Sequence, residues 1–192
     1  MLPAADALFG EVNELARDTP WLHGPAVAFA NFGIVLFALL LLAGWWFARG
    51  QSARAMAAAL TAPLSTLVAV AINQPIISHV AEARPYVAHP HILLLVSASA
   101  DPSFPSDHAT MAGAVAAGLW LVSWRLGLVT SALALLMAVT RVYVGAHYPQ
   151  DVVAGLALGA VVALVVWLIL RIPMTRLVES LRQTRLAIVL QG

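Results

Sequence analysis

The sequence predicts an all-α integral membrane protein with about five transmembrane helices and an interfacial amphipathic helix near each end. The first observation is composition: 61% of the 192 residues are apolar and 10% are charged, with a mean hydropathy of +0.89. Soluble domains are about 45–50% apolar and about 25% charged. The second observation is a series of long charge-free stretches. Because no repeat or second domain is visible, we expect one domain over residues 1–192.

Each predicted span is a charge-free stretch that approaches the length a bilayer requires. A hydrocarbon core of about 30 Å needs about 20 apolar residues in a helix. The first, second and fifth stretches reach this length alone, whereas the third and fourth need polar residues at their outer ends. The predicted spans are residues 25–48, 55–78, 109–124, 126–140 and 152–170.

The two ends of the chain predict helices on the membrane surface. In residues 1–24, Leu8, Val12 and Leu15 recur at helical spacing beside acidic side chains, as in an interfacial helix. Residues 173–192 form a basic amphipathic tail, which suits an anionic cytoplasmic leaflet. The arginines of this tail are Arg176, Arg182 and Arg185.

The distribution of arginine predicts the orientation, since cytoplasmic loops of membrane proteins are enriched in basic residues. Seven of the ten basic residues lie on one side of the predicted spans, and eight of the nine carboxylates lie on the other. The C-terminus is therefore predicted to be cytoplasmic. The net charge of +1, without a basic run, argues against a nucleic-acid partner. The absence of cysteine excludes thiol chemistry.

Polar side chains that flank the predicted spans converge on the outer face. Ionisable groups at this depth are costly, so they are functional candidates. Two helix starts, at Ser106 and after Pro149, would direct free N–H groups at one pocket, where they attract anions. Arginine guanidinium groups suit phosphate, so the pattern predicts a phosphate site. The converging residues are Arg84, Ser106, Asp107, His108, Arg141, His147 and Asp151.

The same residues also supply the groups that phosphoryl transfer requires. His147 and Asp151 lie four residues apart, so the carboxylate can hold one imidazole nitrogen and leave the other as a nucleophile. His108 is a candidate general acid for the leaving oxygen. This set needs neither a metal nor a cofactor.

Three sequence blocks resemble the type 2 phosphatidic acid phosphatase (PAP2) superfamily of membrane lipid phosphatases. They are Arg84-Pro85, PSDH at residues 105–108 and TRVYVGAHYPQD at residues 140–151. The resemblance implies a phosphohistidine mechanism with His147 as nucleophile, Asp151 as its orienting group and His108 as acid. It also implies that Arg84, Ser106 and Arg141 bind the phosphoryl oxygens.

The sequence departs from the superfamily pattern at two positions. Ile77 stands where the pattern has lysine, and Thr140 stands where serine is usual, which keeps the hydroxyl. Thr140 is a possible accessory residue, together with Asp107 and Glu82, which could tune nearby groups. His89 and His91 could ligate a metal, but no carboxylate motif completes such a site, so we expect them in the outer loop.

A narrower resemblance, to undecaprenyl-diphosphatases of the bacitracin-resistance type, covers residues 9–24, Asn73 and residues 82–91 followed by 101–110. It implies hydrolysis of undecaprenyl diphosphate outside the bacterial cytoplasmic membrane, which recycles the carrier lipid for cell-wall synthesis. Another prenyl phosphate, phosphatidate or phosphatidylglycerol phosphate remains an alternative substrate. So do transfer to an acceptor other than water and a non-catalytic lipid-binding or transport role. The sequence leaves the oligomeric state open.

Overall fold

The computed structural model describes residues 3–184 and 187–190, and all regular elements in that part of the chain are helices. The fold class is confirmed, while the number of spans stays a prediction. Four helical stretches are long and apolar enough to cross a membrane. The helices are α1 (Pro3–Asp18), α2 (His23–Ala48), α3 (Ala53–Val80), α4 (Pro85–Ala88), α5 (Asp107–Trp120), α6 (Trp124–Tyr143), α7 (Pro149–Leu181) and α8 (Ala187–Leu190).

The predicted third span, residues 109–124, corresponds to α5, which is shorter than expected. Its 14 residues extend about 21 Å, less than the hydrocarbon thickness. Trp124 belongs to α6, since residues 121–123 break the helix. Helix α5 lies in the interior of the bundle, where Ala109, Ala112 and Val115 have no exposed surface. A helix surrounded by other helices need not match the bilayer on its own.

Small residues on α7 let it pack closely against α5. A Cβ atom at Gly155 would collide with the backbone oxygen of Ser106, and one at Gly159 would collide with that of Thr110. Gly155 and Gly159 are therefore positions at which α7 approaches α5 closely. This contact sets the starts of α5 and α7 side by side, and the Ser106 N–H donates to the Asp151 carbonyl at 3.1 Å.

The predicted C-terminal tail begins inside a long helix of the structure. The amphipathic tail is predicted from residue 173, and α7 continues through Pro173 to Leu181 as one helix of 33 residues. Apolar residues lie on both sides of Pro173, so the hydropathy of the sequence does not mark a boundary there. Arg185 lies outside the described residues.

Helix α1 packs on the end of the bundle that carries the converging polar residues. Phe9, Asn13 and Ala16 face inward and are almost fully buried, whereas Leu8 and Leu15 remain about half exposed. The amphipathic helix predicted within residues 1–24 is present. The three buried residues of α1 each lie one position after the apolar residues Leu8, Val12 and Leu15, which we expected to define its apolar face.

Candidate active site

The site is a cavity of about 260 Å³ at the end of the bundle where α5 and α7 begin. Its walls come from α3, from α4 with the residues on either side of it, from the start of α5, and from the end of α6 with the following loop. Five of the predicted site residues line it together: Arg84, Asp107, His108, Arg141 and His147. Ile77, at the position of the superfamily lysine, also lines the cavity.

His147 is buried, with 2% of its surface exposed, and its two ring nitrogens have different surroundings. Nδ1 faces oxygen atoms: the Ser103 carbonyl lies at 2.9 Å and the Asp151 carboxylate oxygen Oδ2 at 3.4 Å. Nε2 lies 3.3 Å from Nη1 of Arg84, beside the cavity. The imidazole is therefore held from behind at Nδ1, while Nε2 faces the space where a ligand would bind.

These contacts assign the proton on the imidazole ring. The Ser103 carbonyl and the Asp151 carboxylate only accept hydrogen bonds, so Nδ1 carries the hydrogen. A guanidinium group only donates, so Nε2 beside Arg84 bears the free lone pair. Burial, together with the charges of Arg141 and Arg84, lowers the pKa of His147 to about 4 despite the opposing effect of Asp151. His147 is therefore neutral near pH 7, with its lone pair directed at the cavity.

Asp151 is fully buried behind His147. Its Oδ2 accepts a hydrogen bond from the Tyr148 backbone N–H at 2.9 Å and another from the Ser103 hydroxyl. Because Asp151 also lies in the first turn of α7, the helix dipole stabilises its negative charge. The carboxylate is thus fixed by groups other than the histidine that it orients.

The two arginines of the cavity differ in how they are held. Arg84 donates from Nε to the Asp101 carbonyl at 2.6 Å and from Nη1 to the Ala146 carbonyl at 3.2 Å. Arg141 is 8% exposed, and its buried Nε has no hydrogen-bond partner. A buried guanidinium group with an unused donor is costly unless an anion supplies the missing acceptor. The cavity is therefore suited to an anion with several oxygen atoms.

The start of α5 supplies a further set of donors beside Asp151. Ser106 occupies the N-cap position, as expected, but its hydroxyl makes no capping hydrogen bond. Its Oγ is buried and has no partner. His108, two residues later, is half-buried and lines the cavity.

Comparisons with known proteins agree with this geometry. The profile of the PAP2 superfamily matches residues 58–173, which contain all of these cavity groups. Undecaprenyl-diphosphatase BcrC of Bacillus subtilis is 32% identical over 155 residues, covering 81% of this chain and 78% of that protein. This chain belongs to the PAP2 superfamily. It is accordingly a lipid phosphate phosphatase, a hydrolase that lies in the membrane.

Two further comparisons extend this PAP2 assignment. The bacitracin transport permease protein BcrC of Bacillus licheniformis is 29% identical over 159 residues, covering 83% of this chain and 77% of that protein. Among solved structures, a transmembrane PAP2-type phosphatidylglycerolphosphate phosphatase from Bacillus subtilis has the same fold. Its TM-score is 0.64 at 20% identity, covering 86% of this chain and 85% of that chain.

The three accessory candidates occupy different places in this PAP2 protein. The Asp107 carboxylate lines the cavity and accepts hydrogen bonds from the Asn73 amide at 2.7 Å and the Gln74 amide at 3.0 Å. Glu82 accepts from Gln150 at 2.7 Å, and burial, followed by the charge of Asp151, raises its pKa. The Thr140 hydroxyl instead donates to the Leu136 carbonyl of its own helix at 2.7 Å. Thr140 lines a separate apolar groove between α2 and α6.

His89 and His91 lie beside α1, outside the cavity that contains His147. The His89 Nε2 atom lies 2.9 Å from an oxygen of the Asp6 carboxylate. The His91 carbonyl accepts a hydrogen bond from Arg17 at 2.6 Å. Both residues help to join α1 to the segment after α4. No cluster of three metal-ligating side chains occurs within the described residues.

The sequence interpretation missed two residues that hold the site together. Ser103 contacts both His147 and Asp151, although it belongs to an irregular segment with no helical period. Asn13 donates to the Leu93 carbonyl at 2.8 Å and accepts from the Leu93 N–H at 3.0 Å. The same segment then contacts the loop between α6 and α7 that carries His147, because the Leu95 N–H donates to the Val144 carbonyl at 3.0 Å. The signal available for Asn13 was a polar residue at helical spacing between the apolar residues Phe9 and Ala16 of α1.

Proposed function

We propose that this protein hydrolyses undecaprenyl diphosphate to undecaprenyl phosphate and inorganic phosphate through a phosphohistidine intermediate. The observation that carries the mechanism is the orientation of His147, with Nδ1 held by Ser103 and Asp151 and Nε2 facing the cavity. The substrate is supported by the relative named undecaprenyl-diphosphatase, which is similar over most of both chains.

In the first step, Nε2 of His147 attacks the terminal phosphorus atom. A P–N bond forms as the bond between that phosphorus and the bridging oxygen breaks. Burial, together with the charges of Arg141, His147 and Arg84, lowers the pKa of His108 to about 3. The negative charge of the bound diphosphate raises that pKa, so that His108 carries a proton and gives it to the departing oxygen of undecaprenyl phosphate. Asp151 stabilises the positive charge that develops on the imidazole ring of His147.

In the second step, water attacks the phosphohistidine. The P–N bond breaks, inorganic phosphate leaves and Nε2 regains its lone pair. His108, now neutral, accepts the proton of the attacking water. The proton that His108 gave in the first step is thereby restored.

We assign stabilisation of the transferred phosphoryl group to Arg84, Arg141 and Ser106. Nη1 of Arg84 already lies 3.3 Å from Nε2 of His147. When substrate binds, this N–H would donate to a phosphoryl oxygen instead of to Nε2. The partnerless Nε of Arg141 and Oγ of Ser106 are unused donors on the same side of the bundle. Preorganised donors of this kind stabilise transition-state charge without the cost of reorganisation. The steps use no metal.

Phosphatidylglycerol phosphate is a second candidate substrate, because a structural neighbour of TM-score 0.64 is named as a phosphatase for it. A non-catalytic role in transport is the alternative from another class, since one relative is named as a bacitracin transport permease. An oriented imidazole favours catalysis over transport, because binding alone does not require a nucleophile.

The test is phosphate release by purified protein in detergent with EDTA. Undecaprenyl diphosphate, phosphatidylglycerol phosphate and phosphatidate are supplied in parallel, with His147→Asn as the control. We expect preferential release from undecaprenyl diphosphate that is lost in the variant. Preferential release from phosphatidylglycerol phosphate would overturn the substrate but keep the mechanism. No release from any lipid would favour the transport role.

We also propose that the cavity faces outward from the cytoplasmic membrane and that the C-terminus is cytoplasmic. The excess of arginine at the opposite end of the bundle supports this orientation. Because the chain contains no cysteine, single cysteines report topology without background. In intact cells, a membrane-impermeant maleimide should label Ala98→Cys and spare Gly50→Cys. The reverse labelling would contradict the orientation.

A further inference from the structure

Three arginine side chains line a second cavity, of about 330 Å³, at the end of the bundle opposite the active site. Arg54 lies at the start of α3, and Arg171 and Arg176 lie near the end of α7. Ile172 and Thr175 complete the lining, so no carboxylate lines this cavity. This cavity between α3 and α7 therefore carries three positive charges.

These guanidinium groups make no hydrogen bond or ion pair with residues 3–184 or 187–190. Arg54 lies over the Trp167 ring at 5.9 Å, a contact that leaves its N–H donors available. In contrast, Arg182 at the same end donates to the backbone carbonyls of Gln51 and Leu190. Like charges that share one cavity repel each other, and a bound anion removes that repulsion.

The depth of this cavity matches the lipid headgroups. Arg171 lies about 33 Å along α7 from Pro149, because a regular α-helix rises about 1.5 Å per residue. The hydrocarbon core is about 30 Å thick, so a helix that starts at one surface brings Arg171 to the opposite one. The anion most abundant at that depth is the phosphate of a membrane lipid.

We propose that this cavity binds the phosphate of an anionic phospholipid in the leaflet opposite the active site. Arginine presents a planar fork of donors that fits phosphate oxygens. A bound headgroup would link the start of α3 to the end of α7, the two helices that carry Asn73 and Asp151 at their other ends. The proposal goes beyond phosphate hydrolysis and does not depend on it.

The experiment measures lipid bound to the full-length chain in detergent micelles by native mass spectrometry. Dioleoyl phosphatidylglycerol and dioleoyl phosphatidylcholine are titrated in separate arms. Three arginines near an anionic surface correspond to roughly a 100-fold preference for the anionic lipid. We expect the variant Arg54→Gln/Arg171→Gln to lower that preference by about 10-fold or more. The matched control, Arg49→Gln/Arg125→Gln, removes the same charge from the same end without altering the cavity lining.

The control variant should keep the preference of the wild-type protein within about 3-fold, less than one arginine contributes at a charged surface. Equal losses in the two double variants would overturn the proposal, because they would indicate a diffuse attraction to the surface. A third arm adds excess inorganic phosphate. Displacement of phosphatidylglycerol by inorganic phosphate would overturn the lipid assignment and make this a site for the free anion.

Discussion

Arg141 and Arg171 lie towards opposite ends of the bundle, and their side chains have different surroundings. Arg141 is 8% exposed, in a cavity with two histidines and a second arginine. Arg171 is exposed, beside two other arginines. An exposed arginine at a membrane surface costs little, because its stem contacts apolar groups while its head stays in water. A buried one is costly, so it is a candidate functional residue.

The comparison shows that the number of charges does not locate the active site. Most of the arginines lie at the Arg171 end, yet the hydrogen-bonded network is at the other. There, His147, Asp151 and Ser103 contact one another in the interior. Substitutions at the two ends should therefore have different effects on catalysis.

The largest effect is expected for His147→Asn. Loss of the nucleophile should lower kcat on the order of 10³-fold or more, since removal of a nucleophile is among the costliest changes in an enzyme. Phosphate release in a steady-state assay measures this loss. Retention of the thermal unfolding midpoint shows that the variant is folded. A folded variant with near wild-type kcat would contradict the assignment of His147 as the nucleophile.

Arg141→Gln should cost on the order of 10²-fold in kcat/KM, because it removes a preorganised donor from the phosphoryl site. The variant should remain folded, since it replaces a buried charge with a neutral group. Arg125→Gln, at the other end of the same helix, is the matched control and should retain activity. Similar losses of kcat/KM in both variants would contradict a specific role of the buried Arg141 in phosphoryl binding.

Ser103→Ala should lower kcat about 10-fold, because a slight misplacement of His147 and Asp151 slows the chemical step. KM should stay unchanged, since Ser103 does not line the cavity. Steady-state kinetics separate the two constants. An increase in KM at unchanged kcat would show that Ser103 contributes to substrate binding rather than to positioning.

Asn13→Ala tests whether α1 supports the loop between α6 and α7 that carries His147. Loss of both hydrogen bonds to Leu93 should lower the free energy of unfolding by about 1–3 kcal/mol. We expect a smaller fall in kcat than for Ser103→Ala, because Asn13 acts through the intervening backbone. Glu11→Gln, an exposed change on the same helix, is the control for thermal unfolding and kinetics. Equal stability of the two variants would contradict the role of Asn13.

The smallest effect is expected at the opposite end. Arg54→Gln/Arg171→Gln should leave phosphate release in detergent unchanged, since neither residue contacts the network around His147. The same assay measures this directly. A large loss of activity in detergent would show that the two ends are coupled through α3 or α7.

Hydropathy predicted the long helices because a span must be apolar along most of its length. It did not predict where α7 ends, since apolar residues continue beyond Arg171 as far as Leu181. It also left α5 uncertain, because a helix enclosed by others is not constrained by bilayer thickness. The pairing of His147 with Asp151 could be predicted from the sequence, since the two residues lie four apart across the turn that begins α7.

Contacts from irregular segments could not be predicted in the same way. Ser103 reaches His147 from 44 residues away, and Asn13 reaches Leu93 from 80 residues away. Such pairs have no periodicity in sequence. Thr140 shows that a motif position can also mislead. The motif suggested a role at the site, whereas the Thr140 hydroxyl donates to a carbonyl of its own helix.

The most direct test of the mechanism is to trap the covalent intermediate. Undecaprenyl diphosphate with a labelled terminal phosphate is mixed with the enzyme and quenched in alkali, where phosphohistidine survives. We predict label on the protein that is mapped to His147, is lost on acid treatment and is absent from His147→Asn. Phosphate release by an active enzyme that never carries label at His147 would contradict the nucleophilic role of this residue.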